Sequence, residues 1–127
     1  MFFSIITIHP LPGEDVKIID ILDSMRGLTA ANPDCQGCCL AIESGERKAI
    51  CYMERWGTRD ALERHIRSSL YCRVLEAMEL SRLPPEVEFF EGHGVGALDF
   101  IEQIRLDRVS IPLHGGAVPG PPCRVDS

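Results

Sequence analysis

Residues 51–90, CYMERWGTRDALERHIRSSLYCRVLEAMELSRLPPEVEFF, decide the fold of this chain. They predict a strand that ends at Trp56, a Gly-Thr turn, a charged amphipathic helix from about residue 59 to 81, and a further strand after a Pro-Pro pair. In that last strand, residues 86–91, Val87 and Phe89 share one face, and Glu88 and Phe90 share the other. The stretch therefore predicts a helix that connects two strands of one sheet.

The helix predicted over residues 59–81 has a start signal and a weak point. Thr58 has a side chain typical of an N-cap. Ser68-Ser69 predicts a kink or a split, because serine competes for local backbone hydrogen bonds. The apolar row expected to face the sheet consists of Leu62, Ile66, Leu70, Val74 and Met78.

The first half of the chain predicts a strand, a helix and a hairpin. Residues 2–9 are rich in β-branched and aromatic side chains, which favours a strand. Apolar residues at helical spacing predict a helix over 14–31. Residues 35–43 and 47–56 predict two strands joined by a tight turn. The apolar positions of the first helix are Val16, Ile18, Ile19, Ile21, Leu22, Met25 and Leu28.

The predicted element order is β-α-β-β-α-β, which is the ferredoxin-like α+β fold with a four-stranded antiparallel sheet and both helices on one face. The other face of the sheet needs a cover, so we expect a homodimer. We place this domain at residues 1–94. Residues 95–109 are expected to be a C-terminal extension, either a short helix or an arm on a partner subunit, and residues 110–127 a flexible Gly- and Pro-rich tail.

Length and charge exclude several classes of protein. A chain of 127 residues has room for one domain with its own core. Its net charge is −6 and its basic residues are scattered, so we expect no nucleic-acid partner. The apolar opening of the chain is short and lacks basic residues, which argues against a signal peptide or a membrane helix. We therefore expect a cytoplasmic protein that does not bind membranes.

The chain has six cysteines, and three of them form a cluster at Cys35, Cys38 and Cys39. A C-x-x-C pair can bind metal or cycle between thiol and disulfide. Strand alternation is expected to turn Cys38 away from Cys35 and Cys39, and a structural zinc site would need more ligands. We therefore expect reduced thiols packed as small hydrophobic groups and no metal site. A redox-responsive protein is the third-ranked alternative.

Four residues are candidates for a functional site: Trp56, His65, Tyr71 and Tyr52. Neutral histidine can take a phenolic proton, so His65 is the candidate catalytic base. The alternative is a half-buried histidine hydrogen-bonded to a nearby carboxylate or carbonyl. Trp56 and Tyr71, with Tyr52 as a weaker candidate, can stack on an aromatic substrate. The alternative for these rings is an ordinary place in the core.

The turn Glu54-Arg55-Trp56, followed by a helix with His65 and Tyr71, resembles the antibiotic biosynthesis monooxygenase family of dimeric α/β-barrel proteins. The resemblance covers about residues 2–92. It implies a dimer whose sheets pack face to face, with a pocket in each subunit between sheet and helices. Some members oxidise quinols or polyphenols with O2 and without metal or flavin, which implies that no cofactor is needed here.

Other members of this family degrade haem, and the resemblance argues against that activity. Their Asn on the first strand and their Trp and His on the second helix are matched here by Ile6, His65 and Leu75. In the quinol-oxidising members an aromatic pair six residues apart lines the pocket, and the matching residues are His65 and Tyr71. The first hypothesis is therefore a cofactor-independent monooxygenase acting on a small aromatic quinol or polyphenol. The alternative is a non-catalytic dimeric module that binds a small hydrophobic ligand.

Overall fold

Residues 1–110 are described by the computed structural model. They divide into two compact units, Met1–Gly92 and the residues from His93 onward. The tail predicted over 110–127 lies outside the described residues from position 111. The strands are β1 (Phe2–Ile8), β2 (Cys35–Ile42), β3 (Ile50–Trp56) and β4 (Glu86–Glu91), and the helices are α1 (Asp15–Ala30), α2 (Arg59–Arg67), α3 (Cys72–Glu79) and α4 (Leu98–Ser110).

The four strands form one antiparallel sheet in the order β2-β3-β1-β4. This is the strand order of a ferredoxin-like fold, so the predicted fold class is confirmed. Residues opposite one another form rows across the sheet. In the row that matters most for the site, Ser4 of β1 lies opposite Glu54 of β3 and also opposite Phe89 of β4.

One face of the sheet carries the core. Strand alternation places every second side chain of β3 on this face, where Ile50, Tyr52 and Trp56 are fully buried. Ile6 and Ile8 of β1 join them. The core is completed from the helices by Ile18, Leu22, Met25, Val74 and Ala77.

In α1 only part of the apolar row is buried. Ile18, Leu22 and Met25 are buried, but Val16 and Leu28 are each 63% exposed. Seven apolar positions spread over more of the helix circumference than one contact face can cover. The buried stripe is the narrower one, and it continues to Thr29 instead of Leu28.

The predicted split of the second helix is confirmed. Ser68 has an extended backbone between α2 and a 3-10 turn at Ser69–Tyr71, after which α3 begins. The break changes the helical phase, so the single predicted row was partly wrong: Ile66 is 37% exposed. The N-cap is confirmed as well, because the Thr58 hydroxyl accepts a hydrogen bond from the Ala61 amide at 3.2 Å.

The hairpin between β2 and β3 is longer than predicted. The first strand ends at Ile42 and the second begins at Ile50 rather than at residue 47. Gly45 and Lys48 both have positive φ in the connection. The sequence Ser-Gly-Glu therefore forms part of a longer loop instead of a tight turn.

A β-bulge in β2 changes the expected directions of the cysteines. Cys35 pairs with Trp56 while Gly37 pairs with Arg55, so one extra residue lies between them. As a result Cys38 pairs with Glu54 and lies on the same face as Cys35, not on the opposite face as predicted. The five cysteines among residues 1–110 are free thiols, and that part of the chain has no cluster of three or more potential metal ligands. None of its helices is both long enough and apolar enough to span a membrane.

Candidate functional site

The site is built around Glu54, whose side chain lies on the buried face of β3 and is 1% exposed. Its carboxylate accepts a hydrogen bond from the Tyr52 hydroxyl at 2.6 Å and one from the Trp56 indole N–H at 3.0 Å. His65 Nε2 lies 2.9 Å from the same carboxylate. Three of the four predicted site residues therefore meet at one buried carboxylate.

The imidazole of His65 lies between two aromatic rings. Its centroid is 4.7 Å from that of Trp56, with the two planes tilted by 32°. On the other side Tyr71 makes an edge contact at 5.3 Å and 84°. The structure thus brings the three predicted rings together. All are buried, Trp56 completely, so contact of a substrate with Trp56, Tyr71 and Tyr52 stays a prediction.

The hydrogen bond to Glu54 determines which nitrogen of His65 is available. A carboxylate only accepts hydrogen bonds, so Nε2 carries the hydrogen and Nδ1 of the neutral ring is the basic atom. Among residues 1–107, whose side chains the structure describes, Nδ1 has no hydrogen-bond partner. Ser4 Oγ is the only side-chain nitrogen or oxygen among them that is both fully buried and without a partner. Because Nδ1 also lacks a partner, it cannot be fully buried, and it therefore keeps access to space outside the packed core.

His65 lines a cavity of about 300 Å³ between the end of α1 and the flank of α2 that carries Ala61 and Arg64. Asn32, Asp34, Arg64 and Ser68 give part of its wall a polar character. Arg64 and Asp34 form an ion pair across 3.3 Å there. Trp56 and Tyr71 are not among the residues that line this cavity.

A second cavity, of about 420 Å³, lies on the other flank of α2 against β1 and β4. Its apolar wall comes from three elements, with Arg59, Glu63 and Glu91 also at its surface. The apolar residues are Phe2, Leu62, Ile66, Phe89 and Phe90.

Several solved structures share this architecture. Rv0793 from Mycobacterium tuberculosis is 23% identical, with 76% of this chain and 98% of that chain covered and a TM-score of 0.68. A crystal structure named antibiotic biosynthesis monooxygenase is 17% identical over 74% of this chain and 100% of that chain, with a TM-score of 0.65. PA3566 from Pseudomonas aeruginosa is 19% identical over 73% and 94%, with a TM-score of 0.63.

This chain has the antibiotic biosynthesis monooxygenase fold. The resemblance predicted from the Glu-x-Trp turn and the following helix is therefore confirmed at the level of the fold. No protein-family model matches the chain, and no curated protein matches it.

Burial and the Glu54 carboxylate raise the pKa of both tyrosines above that of an ordinary tyrosine. Burial, followed by the negative charge of Glu54, raises the pKa of Tyr71 to about 12. The same two causes raise the pKa of Tyr52, which also donates its proton in the hydrogen bond to Glu54. Both side chains are therefore neutral phenols at physiological pH.

The C-x-x-C pair contributes a thiol to the same network. Cys38 Sγ donates to the Tyr52 hydroxyl at 3.2 Å. Burial raises the pKa of the Cys38 thiol to about 11, and it outweighs the lowering effect of that hydrogen bond. Cys38 is therefore protonated at neutral pH, which makes it a poor nucleophile.

Glu54 is the functional residue that the sequence-based prediction lacks, since there it has no role beyond its place in the Glu-x-Trp turn. The available signal was strand alternation, which places a carboxylate between Tyr52 and Trp56 on a face that is otherwise apolar. A carboxylate at such a position must find several donors, because a buried charge is costly unless it is hydrogen-bonded.

Proposed function

We propose that this protein is a cofactor-independent monooxygenase that oxidises a small aromatic quinol or polyphenol with O2. The observation that carries the proposal is the 2.9 Å contact between Glu54 and His65 in a buried site. A carboxylate that orients an imidazole and stabilises its protonated form is the arrangement of a general base with its positioning partner. This proposal assigns catalysis to His65 and positioning to Glu54.

In the proposed reaction Nδ1 of His65 takes the proton of a substrate hydroxyl. The resulting phenolate gives electrons to O2 more readily than the neutral phenol does. One oxygen atom enters the ring and the other leaves as water, with both electrons for its reduction supplied by the substrate. A phenol with a ring hydrogen and one O2 thus yield a quinone and one water, and the reaction needs no external reductant.

The polar cavity beside His65 supports a substrate with more than one hydroxyl. Asn32, Asp34 and Ser68 offer hydrogen-bonding groups on its wall. We propose that Tyr71, Trp56 and Tyr52 position the substrate ring, either directly or by fixing the imidazole and Glu54.

Replacing His65 by alanine is expected to lower the O2 uptake rate with the best hydroquinone of a panel by about 100-fold, the usual contribution of a general base. Oxygen-electrode traces of purified protein measure it, corrected for uptake without protein. His93→Ala, which changes an exposed histidine, is the matched control and is expected to keep the wild-type rate. Uptake at the no-protein rate for every substrate would contradict the proposal.

The second candidate function is a non-catalytic module that binds a small hydrophobic ligand. The specific observation that favours it is the 420 Å³ cavity lined by Phe2, Leu62, Ile66 and Phe89. Aromatic and aliphatic walls of this kind are typical of pockets for small apolar molecules. This function predicts that apolar ligands raise the melting temperature of the protein without any O2 uptake.

We further propose that the protein forms a homodimer through the open face of its sheet. Phe3, Ile5 and Met53 are only partly buried there, and Phe90 is 44% exposed. Covering these side chains would remove an apolar surface from water.

Ile5→Asp is expected to convert the dimer to a monomer, because it places a carboxylate in the proposed interface, where burial of an unpaired charge costs several kcal/mol. Analytical ultracentrifugation measures the change. Val16→Asp is the matched control, since Val16 is an exposed apolar residue on α1. A wild-type protein that sediments as a monomer would rule out this interface.

A further inference from the structure

Cys35 and Cys38 form the one C-x-x-C pair of this chain, and the proposed oxidation does not use them. The β-bulge places both side chains on the same face of β2. Cys35 pairs with Trp56 and Cys38 with Glu54, and these two residues of β3 share the buried face. Both thiols are only partly buried, so a small ion can reach them. The pair is therefore brought together where simple strand alternation would separate it.

The register of the sheet sets the spacing of the two thiols. Trp56 and Glu54 are two positions apart on β3, and a strand rises by about 3.3 Å per residue, which places the β-carbons of the two cysteines roughly 6–7 Å apart. A disulfide needs β-carbons within about 4.5 Å of each other. Two metal–sulfur bonds of about 2.3 Å each span about 4.6 Å between the sulfur atoms. The spacing therefore suits a metal ion between the thiols better than a disulfide.

The contacts of the thiols leave them free to bind an ion. Cys35 Sγ donates to the carbonyl oxygen of Gly37 at 3.4 Å, which directs this thiol along β2 towards Cys38. Cys38 Sγ donates to the Tyr52 hydroxyl at 3.2 Å. Thiols are weak donors, so metal–sulfur bonds can replace both hydrogen bonds at little cost.

Two thiolates select a soft ion of low coordination number. The part of the chain that the structure describes has no group of three or more His, Cys, Asp or Glu side chains that could hold a metal, which argues against zinc with its four ligands. Cu(I) prefers sulfur ligands and is stable between two thiolates. On binding, each thiol releases its proton to solvent, and the bound pair carries one negative charge. Glu54 opposes this charge, whereas the guanidinium groups of Arg26 and Arg55 favour it.

We propose that Cys35 and Cys38 bind one Cu(I) ion as a two-thiolate site at the edge of the sheet. β2 is an edge strand, so the backbone at the bulge can adjust to the ion without breaking pairing on its outer side. The site is independent of the proposed oxidation, in which His65 is the base.

Anaerobic titration of the full chain into the coloured Cu(I)–bathocuproine complex tests the site, because loss of colour measures the Cu(I) that the protein takes up. The wild-type protein is expected to remove one equivalent. Cys35→Ser and Cys38→Ser are each expected to lower the affinity by more than about 100-fold, since loss of an outer-shell group alone costs about 10–100-fold. Cys39→Ser is the matched control, because Cys39 follows Cys38 directly but lies on the opposite face. It is expected to keep the wild-type affinity.

Trp56 gives a second measurement, because it is the only tryptophan and Cys35 packs against it. Cu(I) is expected to quench its fluorescence in the wild-type and Cys39→Ser proteins but not in Cys35→Ser. Circular dichroism checks that each variant is folded. X-ray absorption of the wild-type complex, which needs no variant, is expected to show two sulfur ligands per copper. A wild-type protein that leaves the coloured complex unchanged, a third sulfur ligand, or loss of the site in Cys39→Ser would each refute the proposal.

Discussion

Replacing Glu54 by alanine is expected to lower the free energy of unfolding by about 3–5 kcal/mol, the cost of removing one partner from a buried charged network. The substitution leaves the Tyr52 hydroxyl, the Trp56 indole N–H and the His65 ring without their common acceptor. Each is a buried donor whose desolvation is no longer offset. The lost side-chain volume adds to the effect, because the site is closely packed.

Urea unfolding measures this effect, and Trp56 is a built-in probe because it is the only tryptophan of the chain. Its indole donates to Glu54, so its fluorescence reports the site directly. Glu54→Gln keeps the shape and one acceptor oxygen, and it is expected to lose about 1–3 kcal/mol because its amide N–H2 faces a donor instead of accepting from it.

Glu63→Ala is the matched control for the Glu54 variants. Glu63 lies on α2 and makes two ion pairs, with Arg59 and Arg67, at the surface. Exposed pairs of this kind contribute about 0–1 kcal/mol in all but favourable cases. A Glu54→Ala protein as stable as Glu63→Ala would show that the buried carboxylate does not hold the core together.

The fold could be predicted because its elements follow simple periods. Alternation in residues 50–56 and 86–91 and helical spacing after Thr58 were enough to obtain the element order, and that order leaves few sheet topologies. The turn Glu54-Arg55-Trp56 pointed to the same family of folds. These signals are local, and each is strong because one face of the element is buried.

Features that depend on tertiary contacts were predicted less well. The seven apolar positions of α1 do not show which stripe faces the sheet: Ile18, Leu22 and Met25 are buried, whereas Val16 and Leu28 are exposed. The bulge between Cys35 and Gly37 shifts every following residue of β2 by one place, and the glycine inside the strand is only a weak sequence signal for it. A one-residue shift reverses the face of a side chain, which is why Cys38 was misplaced.

The site itself was half predictable. The sequence predicts His65 as the candidate base, with a hydrogen bond to a carboxylate or carbonyl as the alternative to catalysis. The structure supplies that carboxylate in Glu54. The two interpretations are compatible, because the contact that satisfies Nε2 leaves Nδ1 as the acceptor that the proposed base would use. What the sequence could not show was that Tyr52 and Trp56 share the same acceptor.

The second large effect is expected in alkaline solution, where the protein should unfold as its two tyrosines ionise. Tyr52 and Tyr71 are the only tyrosines of the chain, and both are buried beside Glu54. In the folded protein the pKa of Tyr71 is about 12, compared with 10.0 as its ordinary value. This difference corresponds to about 3 kcal/mol of stability. Because the folded pKa is the higher one, that stability is fully present below pH 10 and is lost as the pH rises towards 12.

Tyrosinate absorbance and far-ultraviolet circular dichroism, recorded on the same samples over this pH range, measure the effect. Tyrosinate is expected to appear together with the loss of secondary structure, because ionisation of either phenol beside Glu54 requires the core to open. The control is Tyr71→Phe, which keeps the ring against His65 but removes the titrating hydroxyl, and its unfolding midpoint should move to higher pH. The gain is limited because Tyr52 remains. Burial and Glu54 raise the pKa of Tyr52 as well, so its ionisation in the unfolded chain still favours unfolding at high pH. Tyrosinate that forms near pH 10 while the circular dichroism stays native would show that the phenols are open to water and would contradict a sealed site around Glu54.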